Sequence, residues 1–192
     1  MLNPIDKFKN WYQQETQKSM SRIPSACCLS TIGEDNYPNA RFVSLKAIKD
    51  EKFVVTGPLT SRKGTEISAI PKASLTFWWT ETERQVRIQG DCAIIEDELA
   101  DMYFAERNIE SKIVSTISEQ GEFVDDYKDF QHKFENEKVK LKATQIQRPY
   151  NWSGIYVIPN RIEFMEFKPD RFHFRELYTY DNGVWIHHLL QP

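Results

Sequence analysis

Nine short segments of apolar, β-branched and aromatic residues, each broken off by turn-forming residues, limit the fold more than any other feature of the chain. Segments 26–32, 39–48, 52–56, 73–79, 84–95, 153–158, 161–167, 171–180 and 184–190 have strand character. The connections are short: Gly33-Glu34-Asp35-Asn36-Tyr37-Pro38 is a turn, Thr80-Glu81-Thr82-Glu83 joins two strands, and Asp181-Asn182-Gly183 is a hairpin signal. Gly57-Pro58-Leu59-Thr60-Ser61 is expected to end the pairing of the third strand. Helical patterns occupy 4–19, with Ile5, Phe8, Trp11 and Tyr12 on one stripe, then 62–70 behind a Ser61 N-cap, and 97–141 in three charged pieces. A polar connector runs from Gln145 to Asn151.

Hairpin-linked strands pair antiparallel, and no strand is followed by a Gly-x-Gly-x-x-Gly turn, so the pattern does not support a Rossmann unit. The expected fold is mainly β: an antiparallel, Greek-key-like sheet that closes into a barrel with helices outside. Residues 1–20 form an N-terminal helix, 21–145 the core with inserted helices, and 146–192 the strands that complete the sheet.

A net charge of −3 argues against a general nucleic-acid binder, so any anion site must be a local cluster. Cys27, Cys28 and Cys92 have neither disulfide nor zinc spacing, and adjacent Cys27 and Cys28, in an apolar run, read as small buried hydrophobes. His132, His187 and His188 have no metal-ligand spacing, so no metal is expected. No basic leader precedes an apolar stretch and no run of about 18 apolar residues exists, so a cytoplasmic, non-membrane protein is expected.

Several groups of residues suit anions. Read as a strand, Arg171-Phe172-His173-Phe174-Arg175 puts Arg171, His173 and Arg175 on one face and both Phe on a core-facing side. Two cations beside an imidazole repel unless an anion sits among them; the alternative is a solvated outer face. Ser61-Arg62-Lys63 at a helix start offers backbone N–H groups, two cations and a hydroxyl to a phosphate, or is an ordinary cap. Arg41 and Lys46 end a strand-like segment and by strict alternation point to opposite faces, to serve two anions or to guard an edge. Tyr103, Arg107 and Ser111, spaced by four, fall on one face of a continuous helix or of a helix and its cap, and suit a phosphate monoester. Gln85 and Gln120 are weaker signals that suit the edge of a heterocycle.

Together the order Arg41-x4-Lys46, Thr56, Ser61-Arg62-Lys63, Glu83-Arg84-Gln85-Val86, Tyr103-Phe104-x2-Arg107-x3-Ser111, Gln120, Trp152-x-Gly154 and Arg171-x-His173-x-Arg175 resembles the pyridoxamine 5′-phosphate oxidase family. The resemblance runs from about residue 5 to the C-terminus. It implies an FMN-binding split β-barrel that forms a homodimer, with flavin at the subunit interface. By resemblance, Arg41, Arg62 and Lys63 bind the FMN phosphate with help from Thr56 and Ser61, while Gln85, Gln120 and Arg175 hold the flavin. Lys46, Tyr103, Arg107 and Ser111 grip the substrate phosphate, with Lys46 implied in the FMN set too. Arg171 and His173 lie against the pyridine ring as the catalytic pair, Arg171 orienting and stabilising charge and His173 hydrogen-bonding. Met165 stands at the flavin edge where the family commonly has Trp. Other departures are Val55, Gly121, Leu189 and a 57–60 loop one residue longer.

The implied reaction is oxidation of pyridoxine or pyridoxamine 5′-phosphate to pyridoxal 5′-phosphate, with O2 as acceptor and H2O2 released. Two alternatives stand beside it: a flavin oxidase of the same fold acting on another substrate, such as a phenazine precursor, and a non-catalytic FMN or pyridoxal-phosphate binding protein.

Overall fold

The computed structural model describes residues 3–141 and 146–192, so Met1, Leu2 and the Gln145 start of the expected connector lie outside the described residues. Helix α1, Pro4–Lys18, starts where Asn3 Oδ1 accepts the Ile5 N–H at 2.9 Å, with Pro in the first turn, where no N–H is needed. Strands β1 (Ala26–Ile32), β2 (Pro38–Ser44), β3 (Ala47–Lys49) and β4 (Lys52–Pro58) follow. Next come α2 (Arg62–Ala69), β5 (Lys72–Trp79), β6 (Arg84–Ile94) and the helices α3 (Asp97–Ala105), α4 (Ile109–Ile117) and α5 (Tyr127–Lys140). The chain ends in β7 (Trp152–Glu166), β8 (Phe174–Asp181) and β9 (Val184–Leu190).

Among the described residues all nine strands belong to one antiparallel sheet with the path β2-β1-β5-β6-β7-β4-β3. β7 is its axis. It pairs with β6 along its length, and on its other side with β4 over Trp152–Val157 and with β8 over Arg161–Glu166. The sheet therefore forks, and β2 and β3 are left as the two ends of a barrel that curls without closing.

Alternation in β4 and β7 explains why both faces are dry. Phe53, Val55, Ile155 and Val157 face an inner core, where Ile5, Phe8 and Trp11 of α1 plug the barrel against Phe77, Trp79 and Phe164. Val54 and Tyr156 face outward, under Leu99, Ala100, Tyr103, Phe104 and Ile113 of α3 and α4. Each fully buried large side chain contributes about 1.5–3 kcal/mol, so both layers are substantial.

The sequence-predicted count of nine strands agrees, but two errors cancel in it. Segment 39–48 is two strands. After Ser44 the Leu45 N–H still bonds Ser25 O at 2.9 Å, and then Lys46 N–H bonds Val54 O at 2.8 Å, so the chain leaves β1 and crosses to β4. Segments 153–158 and 161–167 are one strand, β7, with a register shift: Gly90 pairs with Pro159 but Gln89 with Arg161, leaving Asn160 as a bulge. Gly90 makes the shift possible, because a Cβ there would lie 2.1 Å from Ile158 O.

Three further expectations are corrected. Pairing does not stop at 57, since Gly57 and Pro58 pair with Ser153 and Trp152. Ser61 precedes α2 without a side-chain cap, its Oγ donating instead to Pro58 O at 2.6 Å. The last correction is the largest: residues 171–173 are not strand. Arg171 has φ +65°, its N–H bonds Lys168 O, and β8 begins only at Phe174. Phe172 and Phe174 are 73% and 45% exposed and face no core within the chain.

Candidate functional site

A pocket of about 470 Å³ lies in the seam where the barrel fails to close. One wall is Arg41–Ser44 of β2, the opposite wall Thr56–Pro58 of β4 with Lys63 of α2, and the roof comes from Arg107, Val114, Ser115, Ser118 and Gln120 around α4. Trp152 closes it from β7.

Its charges are unusual for a fold of net negative charge. Arg41 is held by Glu66, Nη2 to Oε2 at 2.9 Å, and by Thr31 Oγ1. Lys63 Nζ donates to Ser61 Oγ at 2.8 Å and to Gln120 Oε1 at 2.7 Å. Burial, and then the Arg41 charge, lower Lys63 from 10.5 to about 8. Arg107 donates to Ser111 O and Ser115 Oγ and lies 5.0 Å over the Trp152 ring, and burial lowers its pKa. Neither Lys63 nor Arg107 meets a carboxylate among the described residues. Three buried side-chain nitrogens lack hydrogen-bond partners there, Trp79 Nε1, Arg107 Nε and Trp152 Nε1, and two of the three belong to pocket residues. Buried donors and cations without counter-charge are what an anion would complete.

Gly57 makes room for this arrangement: a Cβ there would stand 3.2 Å from Lys63 Cε and Nζ. These residues fit a phosphate-bearing group, and the volume lies within the roughly 300–1,000 Å³ of small-molecule sites.

Of the sequence-predicted residues, the seam thus gathers Arg41, Thr56, Lys63, Gln120 and Arg107, with buried Ser61 behind Lys63. Arg62 points away, 2.9 Å from Glu66 and 3.7 Å from Asp35. Lys46 lies 5.0 Å over the Tyr103 ring and pairs with Glu106 at 2.6 Å. Tyr103 ends inside α3, Arg107 lies between helices, and Ser111 opens α4, its N–H bonded to the Asn108 cap, so the three do not share one continuous helix. Gln85, Met165 and Arg175 form a second group as a cross-strand row on β6, β7 and β8. Arg175 is bound to buried Glu163 at 2.7 Å, which also takes Arg87. His173 sits at the head of this row, its Nδ1 accepting the Lys168 N–H and its ring edge-on to Phe167, while Arg171 is exposed.

The row continues across the sheet. Trp78 pairs with Gln85, and Thr76 and Cys28 connect it to Phe42 at the seam, all on the face turned away from the α1 plug. Phe42 and Trp78 are 81% and 70% exposed on that face. These are two large exposed apolar side chains on one sheet face.

Sequence reading missed Glu66, Glu106 and Gly57. Glu66 could have been found four residues after Arg62 on one helix face, and Gly57 as a glycine inside a strand. Glu106 gives no sequence signal. Among the described residues no three His, Cys, Asp or Glu are placed to hold a metal, and no helix is long and apolar enough to cross a membrane.

Residues 14–146 match the family described as pyridoxamine 5′-phosphate oxidase, and 152–192 match the pyridoxine 5′-phosphate oxidase C-terminal dimerisation region. The pyridoxine/pyridoxamine 5′-phosphate oxidase of Trichormus variabilis is 37% identical, covering 99% of this chain and 89% of the relative. The protein of the same name from Haemophilus influenzae is also 37% identical, over 99% and 90%. Among solved structures, PhzG from Burkholderia lata, in complex with tetrahydrophenazine-1-carboxylic acid, superposes with TM-score 0.91 at 26% identity, over 99% and 93% of the two chains. A pyridoxamine 5′-phosphate oxidase-related, FMN-binding protein from Nostoc punctiforme gives TM-score 0.82 at 15% identity, covering 100% and 98%, and shares the fold.

Proposed function

The chain belongs to the pyridoxamine 5′-phosphate oxidase family of FMN-dependent oxidases, and on that premise we propose that it oxidises pyridoxine and pyridoxamine 5′-phosphates to pyridoxal 5′-phosphate, using O2 and releasing H2O2. The observation that carries this reading is the seam pocket, whose partly buried Lys63 and Arg107 have no carboxylate partner among the described residues.

Arg41, Lys63, Thr56 and Ser61, with Arg62 turning in from the α2 surface, hold the FMN phosphate; Gln120 and Gln85 bind the flavin, and Lys46 touches both groups. Lys46, Tyr103, Arg107 and Ser111 hold the substrate phosphate, using binding energy remote from the reacting carbon to fix it. FMN would supply the two-electron acceptor for oxidation at the substrate C4′, with O2 as final acceptor; for the amine, water would replace the nitrogen at C4′ and ammonia would leave. Arg171 orients the pyridine ring and stabilises charge, and His173 hydrogen-bonds to the substrate.

These residues fall into two separate groups within one chain, the seam and the β6–β8 row, and the protein acts as a homodimer that joins them. The exposed Phe42–Trp78 face meets a second copy, and the Gln85–Met165–Arg175 row with Arg171 and His173 completes the partner's seam. In that assembly 146–192 supplies the dimerising strands, 21–145 the seam and 1–20 the plug, and the enzyme works in the cytoplasm. A second reading, a flavin oxidase of another substrate, is favoured by one observation: Lys46 already carries a carboxylate.

The test is pyridoxal 5′-phosphate formation from each phosphate in air by FMN-supplemented protein. Product with equimolar peroxide supports the proposal. An FMN-loaded protein that makes product from neither phosphate overturns it in favour of the second reading.

A further inference from the structure

Glu106 stands where an anion-binding site has least use for a carboxylate. It follows Tyr103 by three residues, immediately precedes Arg107, and its Oε2 lies 2.6 Å from Lys46 Nζ. It is also the C-cap of α3, its N–H bonding Met102 O and Phe104 O. A negative charge at a helix C-terminus opposes the helix dipole, and the last turn of α3 holds no basic residue to offset it. The helix therefore gains nothing from an acidic cap. Nor does Glu106 solve a burial problem, since its side chain is half exposed and that of Lys46 is 29% exposed.

The pair has a consequence for binding. Lys46 and Arg107 alone would offer two positive charges. With Glu106 on Lys46, Arg107 is the one of these two cations that meets no carboxylate among the described residues. A phosphate monoester, near −2 at neutral pH, would enter against this carboxylate and take Lys46 from it. Half-exposed Glu106 can turn to solvent, whereas Lys46 is held over Tyr103. Burial, and then the Glu106 charge, also raise the Tyr103 pKa, as expected if the carboxylate lies over the same site.

We propose that Glu106 is an internal counter-anion that substrate must displace from Lys46, and that it sets the affinity of this site for phosphate-bearing ligands. The inference rests on the proposed function for the identity of the substrate phosphate. Glu106 touches no reacting atom; it acts through Lys46 and is a positioning residue.

The experiment compares wild type, Glu106→Gln, Lys46→Met and the double variant, each loaded with FMN. KM and kcat for pyridoxine 5′-phosphate are measured, with equilibrium binding of pyridoxal 5′-phosphate by absorbance. Glu106→Gln should lower KM and tighten pyridoxal 5′-phosphate binding about twofold to fivefold, the range of a partly exposed ion pair, with kcat and FMN affinity unchanged. In the Lys46→Met background the same change should have no effect, because the pair is already gone. Unchanged or weaker ligand binding by Glu106→Gln overturns the inference, as does an equal gain with Lys46 absent, which would mark a general charge effect. The two ideas fail separately. If wild type makes no product yet Glu106→Gln binds pyridoxal 5′-phosphate more tightly through Lys46, the proposed function falls and this inference stands. If wild type turns over and Glu106→Gln changes nothing, only the inference falls.

Discussion

The seam between β2 and β4 and the turn before β8 carry similar residues but are built in opposite ways. In the seam, Lys63 and Arg107 are desolvated, fixed by neutral oxygens and left without counter-charge. In the turn, Arg171 is exposed and His173 is held chiefly by a backbone N–H and the edge of Phe167. Partly buried cations without carboxylates are organised for an anion before it arrives, at a cost in stability to the empty protein. Exposed cations on a turn cost little, and become strong only when another surface dries them. The first region can bind alone; the second needs something brought to it.

The sharpest way to break this contrast is Arg171→Ala. It should lower kcat about 10²–10³-fold, the usual loss for one charge-stabilising donor, while leaving FMN affinity and thermal stability as they were. Steady-state kinetics with flavin fluorescence titration separate the two readouts, and unchanged kinetics would remove Arg171 from the reaction. The converse variant is Lys63→Met. Loss of one charged hydrogen-bond donor should weaken FMN binding about 10- to 100-fold. The empty protein should melt no lower than wild type, since a desolvated charge has gone. A lower melting temperature with unchanged FMN affinity would make Lys63 structural.

Glu66→Gln lies between the two regions in character. Glu66 is buried; burial pushes its carboxyl up, but hydrogen bonds from Thr31, Arg62 and Arg41 outweigh that and hold it below the usual range. Removing its charge should destabilise the protein by about 1–3 kcal/mol and, by loosening Arg41, weaken FMN binding several-fold. Chemical denaturation and flavin titration on one preparation would show whether the two losses go together.

How much of this was legible in sequence follows the same division. Residues that one element positions were readable. The α1 stripe and the Asp181–Val184 hairpin, with Asn182 and Gly183 at positive φ, obey local periodicity and turn chemistry. What failed depends on partners distant in sequence. Segment 39–48 reads as one strand because nothing local reveals that it trades β1 for β4 at Leu45. Arg171–Arg175 alternates like a strand, yet Asp170 Oδ1 takes the Phe172 N–H and Arg171 adopts φ +65°, so a turn wins over the period. The carboxylates on Lys46 and Arg175 were invisible because each is brought by another element or, for Glu106, by the end of a helix, and Glu66 is legible as a helical neighbour of Arg62 but not as the partner of Arg41.

Titration tests the seam without a mutation. Lys63 is lowered from 10.5 to about 8 in the empty protein, so between those values the unfolded chain binds the additional proton. From this group the empty protein should gain stability as pH rises from about 8 to 10.5, while FMN affinity should fall up to about tenfold as the ammonium that meets the phosphate is lost. Lys63→Met should flatten both trends. Affinity that does not decline above pH 8 would mean that Lys63 remains charged without help from the anion.

The smallest expected effect probes space. Gly57 lies inside β4, where alanine's backbone is allowed, and its φ is not in the left-handed region. The obstacle to Gly57→Ala is therefore only the new methyl, which would stand 3.2 Å from Lys63 Cε and Nζ and meets no backbone atom closer. A flexible lysine end can yield by a few tenths of an ångström, so the fold should hold and its stability change by less than about 1 kcal/mol. The ammonium, however, would leave the line joining Ser61 Oγ and Gln120 Oε1. Charge-assisted hydrogen bonds depend on that geometry, so FMN affinity should drop about twofold to fivefold with no change in kcat for the FMN-saturated enzyme. If Gly57→Ala binds FMN as tightly as wild type, the seam tolerates displacement of its central cation, and its organisation ahead of the ligand is looser than the buried geometry implies.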